Sequence, residues 1–450
     1  MIRAEPTFEV SCHDLLRDVD RQLRDQIDFR LDGDRVAEYL VGNLSVPRRD
    51  LLRIAMAIYT SDRLVRRSRD SRSGRRVRLE IEVTDPGPWQ SRRDALDEIL
   101  SRVSNDSWYF DFAKAPARQV PAALLEASDT PVVCLYSGGL DSAGGLAARL
   151  SSGVRSVITV TARHQPGQRR QILAQLELFR RRFGARITPL FVRTTLLRPP
   201  RISYQETSQR TRSLLFLALG AAAADVAGVP SVELYESGVG ALNLPLMAGM
   251  IIGARTTRSC EPQFLELVGA LASIGTPQAV TFSLPFIRST KAEVVRSLKD
   301  CGLQEVVPLT NSCIHYPLRE RGLAKQCGVC PACIGRRQAL AGADVYDSAT
   351  QYKYDIFDPR AVIPLNDLQY LHANLFQVAR LGELGDSAEP PSCFSRHLRS
   401  AGLAGTDQDL AYWTGLMHRY RDEWLTLVAA CGSRNVPWAR LLSTVHRVAS

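Results

Sequence analysis

The chain has 450 residues, of which 45% are hydrophobic and 23% are charged, and its formal net charge is +10. This length allows two or three domains with hydrophobic cores, and this composition is typical of globular proteins and excludes a disordered chain. The most apolar stretch, residues 214–224, is too short to cross a membrane, and no signal peptide is recognisable. We therefore expect a cytoplasmic location.

Residues 1–125 contain no motif that carries chemistry, and we expect them to form an accessory α/β domain. Helical periodicity at residues 50–58 and 91–103 flanks an alternating, strand-like pattern at residues 77–83. An arginine-rich run at residues 63–78 is either a polyanion-binding patch or a solvated loop. The run has no aromatic residues for base stacking, which favours the solvated loop.

Residues 132–150 read VVCLYSGGLDSAGGLAARL, which predicts a buried strand, a turn at two glycines and a helix. Such a turn brings backbone N–H groups close to an anion, and the positive end of the helix dipole points at the same place. The spacing matches neither a Walker motif nor a dinucleotide fingerprint, and a glycine turn without a ligand is the alternative. The predicted phosphate-binding residues are Ser137, Gly138, Gly139, Leu140, Asp141 and Ser142.

Two of these side chains have a further predicted task. Ser142 is expected to cap the helix, because a serine hydroxyl can accept a hydrogen bond from a free N–H group of the first turn. Asp141 cannot donate to a phosphate, so we expect it to hold a magnesium ion or to fix the loop.

From residue 131 onward, short apolar segments alternate with helical stretches, which predicts a parallel sheet with helices on both faces. The phosphate-binding turn then lies at the carboxyl end of the first strand, where such folds bind ligands. Beyond residue 343 the strand pattern stops and helical periodicity returns at residues 407–430. We therefore expect an α/β protein with three units: residues 1–125, residues 126–344 with the parallel sheet, and a mainly helical region at residues 345–450.

Several polar residues of the second unit are candidates for ligand binding. Arg210 and Arg212 open an apolar helix, where guanidinium groups suit a phosphate or a carboxylate. Glu236 and Asn243 follow a strand at the expected ligand edge, and Lys291 begins a helix from which it can neutralise a pyrophosphate leaving group. The alternatives are surface arginines, an ordinary turn and an exposed helix lysine.

Four of the ten cysteines form the array C-x13-C-x2-C-x2-C, and the other six are scattered and expected to be reduced thiols. Three thiols on one tight knuckle and a fourth from the preceding loop match a closed, structural zinc site. An iron–sulfur cluster is the alternative. The expected ligands are Cys313, Cys327, Cys330 and Cys333.

The string SGGLDS after a strand resembles the PP-loop of the ATP pyrophosphatase family, whose members cleave ATP between the α- and β-phosphates. Four segments in this order, SGGLDS, RTRSLLFLAL, LPFIRSTKAE and NSC…CGVCPAC, resemble the QueC family of 7-cyano-7-deazaguanine synthases. The resemblance covers residues 131–344. It implies ATP with magnesium, structural zinc, and adenylation of the carboxylate of 7-carboxy-7-deazaguanine.

The resemblance also implies roles for individual residues. The expected catalytic residues are Asp141, Lys291 and Arg212, and the expected substrate-binding residues are Arg210, Glu236, Asn243 and His164. The chain departs from the family after its second strand, where residues 161–169 read TARHQPGQR and lack the acidic residue and the tyrosine of the family. A nitrile product therefore does not follow from the resemblance.

The chain is longer than a 7-cyano-7-deazaguanine synthase, by about 125 residues before the matching part and about 100 after it. In this respect it is similar to the enlarged QueC-like proteins of bacterial anti-phage systems, the QatC type. This similarity implies that an amine of a protein partner attacks the acyl-adenylate. The alternatives are a 7-cyano-7-deazaguanine synthase of queuosine biosynthesis, a tRNA-modifying PP-loop enzyme and a nucleotide-sensing subunit. Nucleic acid is the less favoured partner, and no membrane partner is expected.

Overall fold

The computed structural model describes residues 8–18, 21–33, 44–65, 67, 74–115, 130–163, 167–196, 206, 208–244, 258–276, 278–316, 318, 326–382, 392–403 and 406–439. Of the predicted site residues, His164 lies outside this part of the chain.

The described strands form one nine-stranded sheet with the order β4-β3-β1-β2-β7-β6-β5-β8-β9. Their bounds are β1 (Phe8–Asp18), β2 (Arg21–Gly33), β3 (Arg76–Val83), β4 (Ser107–Lys114), β5 (Val132–Leu135), β6 (Ser156–Arg163), β7 (Arg186–Leu196), β8 (Ser231–Leu234) and β9 (Thr281–Ser283). Strands β5 to β9 pair in parallel, as the alternating pattern predicted. The fold class is confirmed: the protein is mixed α/β, with a parallel sheet in the PP-loop unit.

The helices lie between these strands and beyond the last one. Their bounds are α1 (Val46–Leu64), α2 (Pro86–Gln90), α3 (Arg93–Ser104), α4 (Leu140–Ser151), α5 (Gln168–Phe183), α6 (Arg212–Ala227), α7 (Gly238–Leu242), α8 (Pro262–Ala272), α9 (Lys291–Asp300), α10 (Pro331–Gly342), α11 (Leu365–Gly382), α12 (Ser392–Ser400) and α13 (Asp407–Ser433). The apolar stretch at residues 214–224 is buried within α6, as expected for a helix that is hydrophobic on all sides. Within the described ranges, no helix combines the length and the apolar character that crossing a membrane requires.

The N-terminal region extends the sheet of the PP-loop unit. Strand β2 pairs antiparallel with β7, so that Gly33 lies opposite Val192. Side chains of α1 and β3, among them Ile58 and Leu79, belong to the same hydrophobic core as Leu215 of α6. The first two units therefore share a sheet and a core, and their division near residue 125 stays a prediction.

Two arginines of the arginine-rich run are not solvated. Arg67 Nη2 lies 2.7 Å from Asp62 Oδ1, and Arg75 Nη2 lies 2.7 Å from Asp106 Oδ2. Both carboxylates are fully buried. The interpretation of the run as a solvated loop is wrong for these two residues, because buried carboxylates neutralise their charge.

The helical C-terminal region is confirmed. Helices α11, α12 and α13 pack around Trp413 and Trp424, and their core also contains Ile334 of α10 and Leu242 of α7. A groove of about 1040 Å³ lies between α8, β9 and α13, and none of the predicted site residues lines it. The chemistry must therefore be sought at the PP-loop.

Candidate active site

The predicted phosphate-binding turn connects β5 to α4 at the carboxyl end of the parallel strands. Gly138 has a left-handed φ of +74°, and a Cβ atom at this position would lie 2.6 Å from Cγ1 of Ile172. The Gly138 carbonyl accepts hydrogen bonds from the backbone N–H of Asn311 at 3.3 Å and from Nε2 of Gln175 at 3.1 Å. The turn is thus fixed by two other segments, and only glycine fits at its first position.

The two serines of the turn face each other. The Oγ atoms of Ser137 and Ser142 are 3.0 Å apart, and Ser142 Oγ accepts from the N–H of Ser137 at 3.3 Å. The prediction that Ser142 caps α4 is wrong, because Gly139, which has no side chain, occupies the N-cap position and donates its own N–H to Ser137 Oγ at 3.2 Å. The Ser142 hydroxyl closes the turn instead, which leaves the first N–H groups of α4 available to an anion. Leu140 is fully buried and anchors the start of the helix.

Asp141 and Lys291 form an ion pair beside this turn. Nζ of Lys291 lies 2.5 Å from Oδ2 of Asp141, and both side chains are about four-fifths buried. Burial by itself lowers the pKa of Lys291, but the negative charges of Asp141 and Glu236 outweigh it, so this pKa lies above its ordinary value. Lys291 therefore carries a positive charge next to the phosphate-binding turn.

Two glycines of α4 allow close packing beside this ion pair, one against α9 and one against the end of β8. A Cβ atom at Gly144 would lie 2.7 Å from the carbonyl oxygen of Val294 in α9. A Cβ atom at Gly145 would lie 2.4 Å from Cβ of Tyr235, which follows β8. Sequence reasoning did not assign these residues. The available signal was the second glycine pair in SGGLDSAGG, because glycine inside a helical pattern often marks close packing.

Glu236 reaches the same edge of the sheet from the neighbouring strand. Strands β5 and β8 pair in parallel with Leu135 opposite Leu234, so the continuation of the two strands brings Glu236 next to Ser137. Oε1 of Glu236 accepts from the backbone N–H of Ser237 at 3.2 Å. The structure therefore brings this predicted residue to the PP-loop.

The charge of Glu236 is coupled to that of the ion pair. Burial raises the pKa of Glu236 to about 7, the negative charge of Asp141 adds to this effect, and the positive charge of Lys291 opposes it. Three titratable groups thus share one partly buried site, which is typical of functional sites in enzymes.

Asn243 ends the short helix α7. Its φ is +41°, in the left-handed region, which asparagine adopts more readily than most residues at the end of a helix. The local backbone accounts for an asparagine here, and its role in substrate binding stays a prediction.

Arg210 interacts with the N-terminal region. Its Nη1 donates to the carbonyl oxygen of Ser104, at the end of α3, at 3.1 Å. Burial and the nearby charge of Arg67 lower the pKa of Arg210 to about 10. These contacts tie the chain before α6 to the N-terminal region, and they involve no residue of the PP-loop.

Arg212, two positions later, lines a cavity that a residue of the PP-loop also lines. Together with Ser137, Gln168 and Phe216 it lines a cavity of about 180 Å³ at the end of β5. Its guanidinium lies 5.3 Å from the centre of the Phe216 ring. The structure therefore brings Arg212 and Ser137 together.

The four predicted cysteine ligands form a buried cluster. Their Sγ atoms all lie within 4.8 Å of one another. Backbone N–H groups donate to these sulfurs, among them the N–H of Cys330 to Sγ of Cys327 at 3.3 Å. Gly328 has φ +87°, and a Cβ atom there would lie 2.0 Å from the carbonyl oxygen of Tyr354. Four convergent thiols with N–H donors fit a tetrahedral metal site without an open position.

Helix α10 connects the cysteine cluster to the PP-loop. It begins at this cluster and carries Arg336, which is fully buried and donates to Thr310 Oγ1 at 2.5 Å and to the carbonyl oxygen of Val307 at 2.9 Å. Asn311, which follows Thr310 in the chain, donates its backbone N–H to the carbonyl oxygen of Gly138. Sequence reasoning missed Arg336, because nothing in the local pattern distinguishes a buried arginine from an exposed one. The helix that begins at the cysteine cluster thus contacts the loop that supports the PP-loop.

These features define a class of protein. A parallel sheet, a glycine turn open to an anion at its carboxyl edge, an adjacent lysine–aspartate pair and a four-cysteine site together describe a nucleotide-binding domain of the PP-loop type. Residues 252–344 match the model of the family described as "Queuosine biosynthesis protein QueC". The matched range contains Lys291 and all four cysteines, and the PP-loop precedes it.

Individual relatives agree with this match. The chain is 34% identical over 82 residues to the 7-cyano-7-deazaguanine synthase of Marinomonas sp., which covers 18% of this chain and 34% of that protein. It is 34% identical over 100 residues to the synthase of Methanothermobacter thermautotrophicus, and this match covers 22% of this chain and 41% of that protein. It is 30% identical over 141 residues to the synthase of Anaeromyxobacter sp., and this match covers 30% of this chain and 52% of that protein. The chain thus spans between a third and about half of the length of these relatives, and the similarity supports a relation to QueC for the matched part.

Proposed function

We propose that this protein is an ATP-dependent, AMP-forming ligase that adenylates the carboxylate of 7-carboxy-7-deazaguanine. The observation that carries the proposal is the ion pair of Asp141 and Lys291 beside the start of α4, where no side chain caps the helix. The family match over the Lys291 segment supports a substrate of the deazaguanine type.

In the first proposed step, a carboxylate oxygen of the substrate attacks the α-phosphorus of ATP. The bond from this phosphorus to the oxygen that bridges to the β-phosphate breaks, and pyrophosphate leaves. Nζ of Lys291 and the N–H groups at the start of α4 would neutralise the charge on the departing pyrophosphate. Arg212, in the cavity with Ser137, would hold a phosphate or carboxylate oxygen.

The residues at this site fit a magnesium ion that accompanies ATP. Oδ2 of Asp141 is paired with Lys291, whereas its Oδ1 is buried and has no hydrogen-bond partner among the described residues. A buried carboxylate oxygen without a donor suits a hard cation. Magnesium bound with ATP would supply positive charge at the phosphates, and Asp141 would hold it.

In the second proposed step, the nitrogen of an amine attacks the acyl carbon, the bond from this carbon to AMP breaks, and the amine loses a proton. We propose an amine of a protein partner in an anti-phage system as the acceptor. The long regions before and after the part that matches the QueC model, which could hold such a partner, are the reason for this choice. Substrate-binding roles of Arg210, Glu236, Asn243 and His164 belong to the same proposal.

A second candidate function is the synthesis of 7-cyano-7-deazaguanine. It is favoured because the relatives named above are 7-cyano-7-deazaguanine synthases. In this case ammonia attacks, and a second activation dehydrates the amide to a nitrile. A tRNA-modifying enzyme is less favoured, because Asp62 and Asp106 neutralise part of the positive charge that suggested it.

The activation step is tested by exchange of labelled pyrophosphate into ATP in the presence of 7-carboxy-7-deazaguanine and Mg²⁺. We expect exchange with the wild type and a loss of about 100-fold or more in Asp141→Ala and Lys291→Ala. Lys299→Ala, on the same helix and paired with the exposed Asp344, is the matched control and should keep wild-type exchange. A wild type that neither exchanges pyrophosphate nor forms AMP would exclude the proposal.

The acceptor is identified in the same mixture by mass spectrometry of the products. Ammonia that yields a nitrile would select the synthase, and an amide on a protein would select the ligase.

We further propose that the four-cysteine site holds zinc. Elemental analysis of the purified chain should find about one zinc per chain, and the protein should lack the visible absorption of an iron–sulfur cluster. Replacement of Cys330 by serine should abolish stoichiometric zinc. Stoichiometric iron with visible absorption would contradict this assignment.

A further inference from the structure

The segment that leads into α9 is held by the C-terminal helix α13. The carbonyl oxygen of Arg288 accepts from the Tyr412 hydroxyl at 2.7 Å and from Nη2 of Arg419 at 3.1 Å. Nε of Arg419 also lies 2.9 Å from Oε1 of Glu293, in the first turn of α9. Two residues of α13 therefore contact both sides of Lys291 along the chain.

A third residue of α13, Glu423, contacts the start of α9 directly. Its Oε1 accepts from the hydroxyl of Thr290 at 2.5 Å, and Thr290 is the fully buried N-cap residue of α9. The other carboxylate oxygen accepts from Nε2 of Gln338 at 2.9 Å, and Gln338 lies on α10. Glu423 thus joins the beginning of α9 to the helix that starts at the cysteine cluster.

The next residue after Thr290 is Lys291. Because Lys291 is the first residue of α9, the orientation of the helix start determines where its Nζ lies. The Thr290 hydroxyl accepts from the N–H of Glu293 in a capping box, which orders the first turn of α9. The bond from the same hydroxyl to Glu423 is one of the contacts that orient this turn relative to α13.

We propose that Glu423 is a positioning residue for Lys291, so that the C-terminal region completes the site although it lies outside residues 252–344, which match the QueC model. This proposal rests on the proposed function in one respect, the action of Lys291 on pyrophosphate. The position of Lys291 beside Asp141 does not depend on that function. Without Glu423, the hydroxyl of Thr290 and the amide of Gln338 lose their shared acceptor, and the ion pair of Lys291 with Asp141 loosens.

The first test measures the geometry without any need for turnover. The rate of modification of Lys291 by an amine-reactive reagent is followed by peptide mass spectrometry, relative to that of Lys299 on the same helix. We expect Glu423→Ala to raise this ratio several-fold, because a looser ion pair leaves more free amine. Asp422→Ala, at the exposed neighbouring position, is the control and should leave the ratio unchanged.

In Glu423→Gln, the amide oxygen can still accept from Thr290, but the amide NH₂ group faces the NH₂ group of Gln338 and cannot accept from it. This variant should therefore raise the ratio of modification rates less than Glu423→Ala. It replaces the alanine variant if that variant does not fold. A ratio equal to that of the wild type in the folded variants would overturn the proposal.

The second test separates positioning from binding. In pyrophosphate exchange, Glu423→Ala should lower kcat about tenfold and change the KM for ATP less than about twofold, because Lys291 acts mainly on the leaving group. Equal changes in kcat and KM, or none, would contradict a positioning role. A wild type without exchange would reject the proposed function alone, since the modification rates still decide the role of Glu423.

Discussion

The two regions that flank the PP-loop unit are attached to it by different kinds of contact. The N-terminal region shares the sheet and contributes fully buried charges, whereas the C-terminal region adds a helix whose polar contacts are partly exposed. Each region reaches the start of one site helix: Oδ2 of Asp62 accepts from the N–H of Thr211 at 3.1 Å before α6, and Glu423 accepts from Thr290 before α9. The same task, support of a helix that carries a site cation, is therefore performed with two different chemistries.

The N-terminal contacts form a closed group of charges. Arg67 and Arg75 each contact both Asp62 and Asp106, at distances between 2.5 and 2.9 Å. Burial alone would raise the pKa of Asp106, but its hydrogen bonds and charge contact with Arg75, together with the charge of Arg67, keep this pKa below its ordinary value. Removal of any one of these four side chains should destabilise the fold, because it leaves a buried charge without one of its partners.

The largest expected effect is therefore on the N-terminal side. Asp106→Ala leaves the nearly buried guanidinium of Arg75 with a single carboxylate, and we expect it to lower the free energy of unfolding by about 3–5 kcal/mol. Urea-induced unfolding followed by circular dichroism measures this loss.

The matched control is Asp111→Ala in β4, the strand that Asp106 directly precedes. Asp111 pairs with Arg78, and both side chains are nearly half exposed. Its loss should cost less than about 1 kcal/mol. If the two variants lost similar amounts of unfolding free energy, the buried charges would contribute no more to stability than an exposed ion pair does.

A smaller effect is expected from pH, and it should have opposite signs in the two regions. Burial raises the pKa of Glu423 above its ordinary 4.5, although its bonds from Thr290 and Gln338 oppose this. The folded state then holds this proton more tightly, so the contribution of Glu423 to stability falls as pH rises from about 4.5 through the folded pKa. The contribution of Asp106 is full above about 3.8 and falls as pH drops below that value through the lowered pKa.

Unfolding free energies of the wild type, Glu423→Gln and Asp106→Ala over pH 3 to 7 check this prediction. Relative to the wild type, Glu423→Gln should show a flatter profile above about pH 4.5, and Asp106→Ala a flatter profile below about pH 3.8. Profiles that run parallel to the wild type in these windows would show that neither group carries the expected linkage.

Local patterns were sufficient for a large part of the fold and site. The strand, glycine turn and helix around Gly138 follow from short-range rules, and so does the clustering of four cysteines within a short segment. The parallel sheet followed from the alternation of apolar and helical segments. The charge-rich strands β1 and β2 were not predicted, although apolar residues alternate with polar ones at Phe8, Val10 and Cys12 in β1 and at Ile27, Phe29 and Leu31 in β2.

Contacts between distant segments were not accessible in the same way. Asp141 and Lys291 are 150 residues apart, and the sequence named each as a candidate without predicting that they pair. Arg210 and Arg212 stand two positions apart at a helix start, yet one contacts the N-terminal region and the other lines the cavity at Ser137. The sequence does not distinguish them, because the direction of each side chain depends on how α6 packs against α1.

Cys330 is both a member of the metal-binding cluster and the N-cap residue of α10, where its Sγ accepts from the N–H of Cys333 at 3.4 Å. A sulfur that is bound to a metal at this place would face the positive end of the helix dipole, which is a favourable arrangement for its negative charge. Loss of the metal would therefore also weaken the start of α10 and the hold of Arg336 on the PP-loop. One cysteine thus serves as a candidate metal ligand and as a helix cap at once.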